Sequence, residues 1–366
     1  MTSVIIVQTI LPHYRASFFE RLAGLDELDV KVVAGEGQEV ATFSSSGSHI
    51  QTILENKKIS IKGHTFVYQK GLISLLLREK PDHVVFGGPD IHVLSTFWAF
   101  FVLKLLTRTN IHWWTHGINK KSNLLRTFQE FFLARSSSAM TYESDGQREI
   151  LTALNWSSEK VTVLKNAINT KDYGLLLDNK KNNIGSFCIL FAGRLTLAKR
   201  CDILIKSAKE LKDAGLSFKV EIIGEGPDLN TCKSLVDTLQ LNDYVIFHGA
   251  KYDDELSAIF SRADIFVLPG KVGLSALHAL SYGLPVLTTD QDIHSPEIAL
   301  IKKGYNGDFF QGFSEESLAI KIQEWMKILE EDNERIKSRV KKTVQLAGYT
   351  PEAMVENFVK HFKNLK

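Results

Sequence analysis

Cysteine is scarce in this 366-residue chain, which holds only Cys188, Cys201 and Cys232. Three thiols so unevenly spaced make neither a disulfide framework nor a four-ligand zinc site, so the chain reads as a reduced, cytoplasmic protein. Proline is also sparse at 8 residues, and glycine reaches 24, which excludes collagen-like and Pro/Gly-rich disordered chains. Neither sign of charge dominates: 44 Lys and Arg against 42 Asp and Glu leave +2, too little bias for a dedicated nucleic-acid binder. A long hydrophobic run is missing as well. The most apolar long window, Ile91 to Thr107, carries His92 and Lys104 and falls short of the roughly 20 residues that span a bilayer. It reads as a buried helix, with a surface that also touches lipid as the alternative. The start, MTSVIIVQTILPHYR, has no charged leader before its apolar stretch and predicts no signal peptide.

What is present is an ordinary globular composition, 44% hydrophobic and 23% charged, in a length that suits about two domains. Short β-branched runs alternate with longer amphipathic segments, the pattern of parallel strands covered by helices. Ser3 to Thr9, Val30 to Ala34, His83 to Gly87, Ile111 to Thr115, Ala139 to Tyr142 and Val161 to Leu164 read as strands of a first half. Ser186 to Phe191, Lys219 to Ile223, Val245 to Phe247, Ile265 to Leu268 and Val286 to Thr288 read as strands of a second. Runs such as VIIV and CILFAG, apolar without alternation, suit sheets buried on both faces. The expectation is an α/β protein of two Rossmann-like, doubly wound domains, at 1–170 and 171–350. Pro351 opens a separate last helix, so 351–366 is set apart. Charge is uneven: from Lys57 to Arg135 twelve cations face four carboxylates, a local excess of eight. A solvated face is the default explanation, and an anionic membrane or phosphate-bearing acceptor the alternative.

In an open α/β sheet, ligands bind beyond the carboxyl ends of the strands. Three such turns stand out in the second half. At Phe191 to Leu195, Gly193 allows a tight turn, and Lys199 and Arg200 sit ahead of a helix starting near Asp202. Cations at a helix start suit a diphosphate, and surface cations on a loop are the plain alternative. The second turn, GEGP at Gly224 to Pro227, lacks the full GxGxxG and argues against NAD. The third, Leu268 to Leu280, offers Gly270 and Gly273 for close backbone approach and a helix start near Gly273 whose free N–H groups favour an anion. His278 lies one helical turn in, where its ring can reach the same ligand and join the donor-binding residues, although a lone helical His is more often packed or solvated.

At these residues the chain resembles a known family. GRLTLAKRCDILIKSAKEL, FKVEIIGEGPDL, VIFHGAKYDDELSAIFSRADIFVLPG, GLSALHALSYGLPVLTTD and SPEIALIKKGYNGDFF look like the donor-binding domain of glycosyltransferase family 4, the group 1 glycosyltransferases, whose fold is GT-B. QTILPHYRASFFERL, WTHGIN and VLKNAINT resemble the acceptor domain of the same family more loosely. The resemblance implies two Rossmann-like domains facing across a cleft, with the C-terminal helix 351–366 returning to the N-terminal, acceptor-binding domain. Arg194 and Lys199 match the cation pair on the donor diphosphate, Gly193 their turn, and the backbone of Leu274 and Ser275 after Gly273 the amides on the distal phosphate. The loop Gly249 to Asp253, with Lys251 and Tyr252, matches the nucleobase cradle. His116 matches a His near the reacting sugar, making His116, Arg194 and Lys199 the catalytic candidates. His13, Tyr14 and Arg15 fall on the acceptor side.

One departure stands out. The family's Glu-x7-Glu pair falls on Gly270 and His278, so two carboxylates that usually contact the donor sugar and ribose are lost. Glu297, on a later loop, can supply a carboxylate, or else simply cap a helix start. Asp290-Gln291-Asp292 spells DxD, yet metal use is not expected, because cations and helix amides already neutralise the diphosphate. The resemblance thus implies a retaining, metal-independent hexosyl- or glycosyltransferase without cofactor. It would use a nucleotide sugar and a glycan, or lipid-linked glycan, in making a surface polysaccharide (O-antigen, capsule or lipopolysaccharide). It would be cytoplasmic or peripheral on the inner membrane face, with no nucleic-acid partner. A nucleotide-sugar epimerase of the same architecture and a non-catalytic partner subunit are the alternatives.

Overall fold

Continuous apolar runs become the central strands of two parallel sheets, because only a strand covered on both faces can do without polar positions. The computed structural model describes residues 1–11, 15–36, 50–119, 122–167 and 186–364. They fall into two units: Met1–Asn169 with Gly348–Lys366, and Thr170–Ala347.

In the first unit the sheet strands are β1 (Thr2–Gln8), β2 (Leu28–Gly35), β3 (Ile50–Leu54), β6 (His83–Gly87), β7 (Asn110–Thr115), β8 (Ser138–Thr141) and β9 (Val161–Val163). Their order is β3-β2-β1-β6-β7-β8-β9, with every neighbouring pair parallel. The order reverses direction between β1 and β6, so a crevice opens beyond their carboxyl ends. Between β3 and β6 the chain makes a separate antiparallel hairpin of β4 (Asn56–Ile61) and β5 (His64–Gln69). Lys62 and Gly63 turn it with φ of 50° and 80°, the two positive values of a type I′ turn. The helices are α1 (Ala16–Ala23), α2 (Leu72–Glu79), α3 (Leu94–Leu106), α4 (Asn123–Ala134) and α5 (Ser144–Leu154). The apolar window expected as a buried helix is α3, but only one of its faces is buried, through Ser95, Thr96, Ala99, Phe100 and Leu103.

The second unit repeats the plan with β10 (Phe187–Ala192), β11 (Phe218–Ile223), β12 (Val245–Gly249), β13 (Ile265–Leu268), β14 (Val286–Thr289) and β15 (Gly307–Phe310). Their order is β12-β11-β10-β13-β14-β15, again parallel, with its switch point between β10 and β13. Its helices are α6 (Cys201–Asp213), α7 (Leu229–Thr238), α8 (Asp253–Arg262), α9 (Leu274–Ser281) and α10 (Glu315–Leu346), the last broken at Asp332. Cys188, Cys201 and Cys232 are all buried free thiols. Among the described residues no helix is long and apolar enough to cross a membrane.

The final helix, α11 (Pro351–Asn364), belongs to the first unit. Trp113 and Trp114, consecutive on β7, point to opposite faces of the sheet. Trp113 enters a core with Phe86, Phe100 and Phe132, while Trp114 joins Phe18, Met354 and Phe358. Burying a side chain of that size stabilises by roughly 1.5–3 kcal/mol, so α11 is part of the core. A hydrogen-bonded file fixes its register. His83 Nδ1 meets His112 Nε2 at 2.9 Å, and His112 Nδ1 meets Ser138 Oγ at 2.5 Å. Ser138 Oγ meets His361 Nε2 at 2.6 Å, and His361 Nδ1 meets Thr162 Oγ1 at 2.7 Å. With one proton per ring, every donor in this file faces an acceptor, in either direction.

Burial holds the His361 imidazole down to about 4, with the charge of His83 adding to the effect. It also holds His112 well below its ordinary value, helped by His361 and His83. The unfolded chain therefore binds more protons below about pH 6.5, so stability from these rings is complete above that pH and lost as pH falls toward 4. His361→Leu, which leaves the Ser138 and Thr162 hydroxyls without this partner, should lower urea-measured stability at pH 7.5 by about 2–4 kcal/mol. It should also flatten the decline between pH 6.5 and 4; equal pH dependence in both proteins would remove His361 from this account.

Candidate functional site

The carboxyl ends of β10 and β13 flank the second unit's switch point, and the turns that leave them are tied together by backbone. Gly270 N–H donates to Lys199 O at 3.1 Å, and Lys271 N–H to Ala198 O at 2.8 Å. A Cβ at Gly270 would lie 2.2 Å from Ala198 O and 2.6 Å from Lys199 C, so only glycine permits this contact. The Lys199 ammonium then reaches across to donate to Lys271 O at 2.6 Å. It lies 3.8 Å from where a Cβ of Gly273 would stand, and Gly273 is the residue before α9. The free N–H groups of Leu274 and Ser275 in the first turn of α9 thus share one corner with a cation. Burial, and then the charge of Lys271, lowers the Lys199 pKa, while Glu297 opposes the shift. A partly desolvated ammonium beside a helix N-terminus is built for an anion of more than one charge.

Two further side chains hold this corner. His294 accepts Val272 N–H on Nδ1 at 3.1 Å and faces Thr289 O with Nε2 at 2.9 Å. That pattern fits a neutral ring, and burial lowers its pKa. Ser295 N–H donates to Val272 O at 3.1 Å, which ties the loop before Glu297 to the same turn. Glu297 is 6% exposed, and its Oε2 finds no hydrogen-bond partner among the described residues. A buried carboxylate oxygen without a donor is costly, and a ligand hydroxyl would satisfy it.

The expected residues are distributed as follows. Gly193, Lys199, Gly270, Gly273, Leu274, Ser275 and Glu297 belong to turns joined by these contacts. Arg194 is exposed on the turn after β10. Arg200 does not extend the cation pair, because it is paired with Asp202 at 2.9 and 3.0 Å and lies over the Phe313 ring. Lys251 is paired with Glu255 at 2.8 Å, and Tyr252 is exposed just before α8. His278 is half-buried on α9, its ring 6.4 Å from that of Phe260. The GEGP turn is explained by packing: a Cβ at Gly224 would lie 2.0 Å from Gly193 O, and one at Gly226 2.1 Å from Leu195 O. Asp290, first of the DxD, accepts from Gly312 N–H at 2.8 Å and from Gln291 Nε2 at 3.0 Å.

The first unit carries its own cavity, of about 640 Å³, beyond the ends of β1, β6, β7 and β8. Its lining includes Gln8, Gly88, Asp90, His92, His116, Asn119 and Tyr142. The His116 ring packs on Tyr142 at 4.4 Å, and Tyr142 stacks on Trp114 at 5.6 Å. The loop lies flat because Gly117 and Gly146 lack Cβ atoms; one at Gly146 would stand 2.5 Å from His116 O. Arg15 does not line the cavity. It is buried behind it, donating to Gln8 Oε1 at 3.0 Å and Tyr142 Oη at 2.5 Å, with its guanidinium 4.5 Å from the Trp114 ring centre. His13 and Tyr14 lie outside the described residues. Sequence reasoning missed His294 and Tyr142, neither of which belongs to a local motif.

Residues 177–343 match the family model described as glycosyl transferases group 1. The chain is 28% identical over 166 residues to the amylovoran biosynthesis glycosyltransferase AmsK of Erwinia amylovora, covering 43% of this chain and 40% of that one. It thus spans about 40% of the length of such a curated relative. Among solved structures it is similar to Anabaena Alr3699/HepE in complex with UDP, at TM-score 0.70, 14% identity and 99% and 100% coverage of the two chains. It is also similar to the apo form of the lipopolysaccharide outer core galactosyltransferase WaaB, at TM-score 0.67, 15% identity and 99% coverage of each. These likenesses show the fold, which is GT-B.

The Gly270 contact makes a reversed expectation for mutagenesis. Gly270→Glu restores the carboxylate that the Glu-x7-Glu pattern lacks here, yet it forces the Ala198–Lys199 backbone away. Melting temperature should fall by several degrees, corresponding to about 1–3 kcal/mol, and any anion affinity at Lys199 should drop. A variant with unchanged melting and tighter binding would overturn this reading of the turn.

Proposed function

We propose that this chain, whose residues 177–343 match the group 1 glycosyltransferase model, transfers a hexose-type sugar from a nucleotide sugar, held by the second unit, to a glycan acceptor held by the first. The observation that carries the reading is the corner of Lys199 and the α9 N-terminus, which suits a diphosphate leaving group. As the glycosidic bond to the donor breaks, negative charge develops on the diphosphate, and preorganised donors aimed at that charge supply rate. Lys199, the Leu274 and Ser275 amides and Arg194 fill this part. Because these groups neutralise the diphosphate and Asp290 is committed to its own loop, we assign the reaction no metal.

Gly193 keeps backbone close to the ligand, Gly270 holds the Lys199 turn, and Lys251 and Tyr252 border the nucleobase. Glu297 Oε2 takes a donor hydroxyl in place of the missing glutamates, with His278 beside the ribose. In the first unit, His116 presents its ring to the acceptor or the transferring sugar, and retention of configuration needs no base from it. Tyr142 and the buried Arg15 hold that ring in place. The acceptor is assigned as a lipid-linked glycan at the inner membrane face, and the pathway as surface polysaccharide assembly, the kind of process named for AmsK.

Titration with UDP-, GDP- and CMP-sugars tests the reading by thermal shift, since a ligand at a hundred times its Kd stabilises by roughly 2.7 kcal/mol. One nucleotide class should bind. Lys199→Ala should then lower turnover about 100-fold or more, a loss expected when a preorganised donor to developing charge is removed. Binding of none of the three would favour a non-catalytic subunit, and conversion of the nucleotide sugar without acceptor an epimerase.

A further inference from the structure

The half-buried helix α3 carries an exposed stripe. Trp98, Phe101, Leu105 and Leu106 stand at i, i+3, i+7 and i+8, one face of a helix, and Trp98 is 61%, Leu105 81% and Leu106 70% exposed. Single exposed apolar side chains need no explanation, but a four-residue stripe does. The stripe continues toward α4: Phe101 packs on Phe132 with ring centres 5.7 Å apart, and the neighbouring Phe131 is exposed with the Arg135 guanidinium 3.7 Å over its ring.

Charge around the stripe is mostly positive, with Asp90 ahead of α3 and Glu130 on α4 as nearby carboxylates. From Ile91 to Gln129 the sequence holds no carboxylate, and the cations among the described residues there are Lys104, Arg108 and Arg126. Glu130, the next acid, is paired with Arg126 at 2.8 Å. Lys104 and Arg108 are exposed at the C-terminal end of α3. A second element of the same character is fastened to the start of that helix. Val67 of the β4–β5 hairpin donates its N–H to His92 O at 2.7 Å, and the hairpin exposes Lys57, Lys58 and Lys62 beside Ile59 and Ile61.

Aromatic and leucine side chains fringed mostly by Lys and Arg are what an interfacial helix needs to sit among anionic headgroups. A second copy of the chain fits poorly, since two-fold pairing of this face sets its own cations against each other. We propose that α3 and the hairpin dock the first unit on an anionic lipid bilayer, with Trp98, Phe101 and Leu105 at the boundary of headgroups and acyl chains. Val93, which lines the first unit's cavity, precedes Trp98 by five residues, about 7 Å of helix rise. Docking therefore brings the cavity mouth to the membrane surface. That use, taking an acceptor from the membrane, rests on the proposed function; the docking does not.

The test is co-sedimentation of the full chain, without donor or acceptor, with vesicles of equal parts phosphatidylcholine and phosphatidylglycerol, and with phosphatidylcholine alone. Binding should occur on the anionic vesicles, weaken at high salt, and fall about tenfold or more in Trp98→Ser/Phe101→Ser and in Lys104→Glu/Arg108→Glu. All four positions are exposed, so unchanged melting temperature serves as the folding control, and Ile320→Ser, on the second unit, should bind as the parent. Parent protein that stays in solution, equal binding to both vesicle types, or full binding by both double variants would overturn the proposal. So would loss, in Trp98→Ser/Phe101→Ser, of a dimer seen by light scattering in place of vesicle binding. A nucleotide-sugar thermal shift that persists in these variants keeps the docking and the transfer reaction separately testable.

Discussion

Direct backbone contact between the turn after β10 and the turn after β13 governs the second unit's site. Two hydrogen bonds, from Gly270 to Lys199 and from Lys271 to Ala198, close the gap between the strands that flank the switch point. With that gap closed, Lys199 can reach the Lys271 carbonyl and stand at the start of α9. Thr288, fully buried, donates to Leu268 O at 2.8 Å and fixes the end of β13 from the other side. His294 fixes the turn itself. A cation that would otherwise sample many rotamers is thereby held beside helix amides before any ligand arrives, which is the economical way to stabilise charge.

The same contact accounts for the missing carboxylate at position 270. Any side chain there would occupy space held by the Ala198–Lys199 backbone, so the site exchanges an acceptor for a closer cation. Glu297 then matters more. Its buried Oε2, without a hydrogen-bond partner among the described residues, lies close enough to Lys199 to oppose the lowering of its pKa. A glutamate placed at position 270 alone would collide with the Ala198–Lys199 backbone.

Parallel strands were legible in the sequence because their apolar runs do not alternate, and the GT-B fold follows from them together with the five resembling blocks. The β4–β5 hairpin was not legible: its strands are mostly exposed, so no buried face imposes a period, and Lys62-Gly63 is a weak turn signal on its own. In α3 the failure had the opposite cause. Every face of WAFFVLKLL is apolar enough to be buried, so composition could not reveal that Trp98, Leu105 and Leu106 face outward. Within the site, the glycines were legible as places of close approach, but not what approaches. Gly224 and Gly226 serve packing against Gly193 and Leu195, whereas Gly270 serves the Lys199 turn. His294 and Tyr142 stayed hidden because their partners lie 5 to 127 residues away.

The near-balance of total charge conceals two kinds of electrostatics with different physical behaviour. Around Lys199 the charge is partly desolvated and stands beside the start of α9; such interactions are less screened by salt. Around α3 and the hairpin the cations are many and exposed, so their pull on an anionic surface acts over about a Debye length and fades as ionic strength rises. The proposed donor binding should therefore depend on salt less than the proposed attachment to a charged surface. The division follows from burial: Lys199 is half-buried in its turn, whereas Lys57, Lys58, Lys62 and Lys104 are exposed.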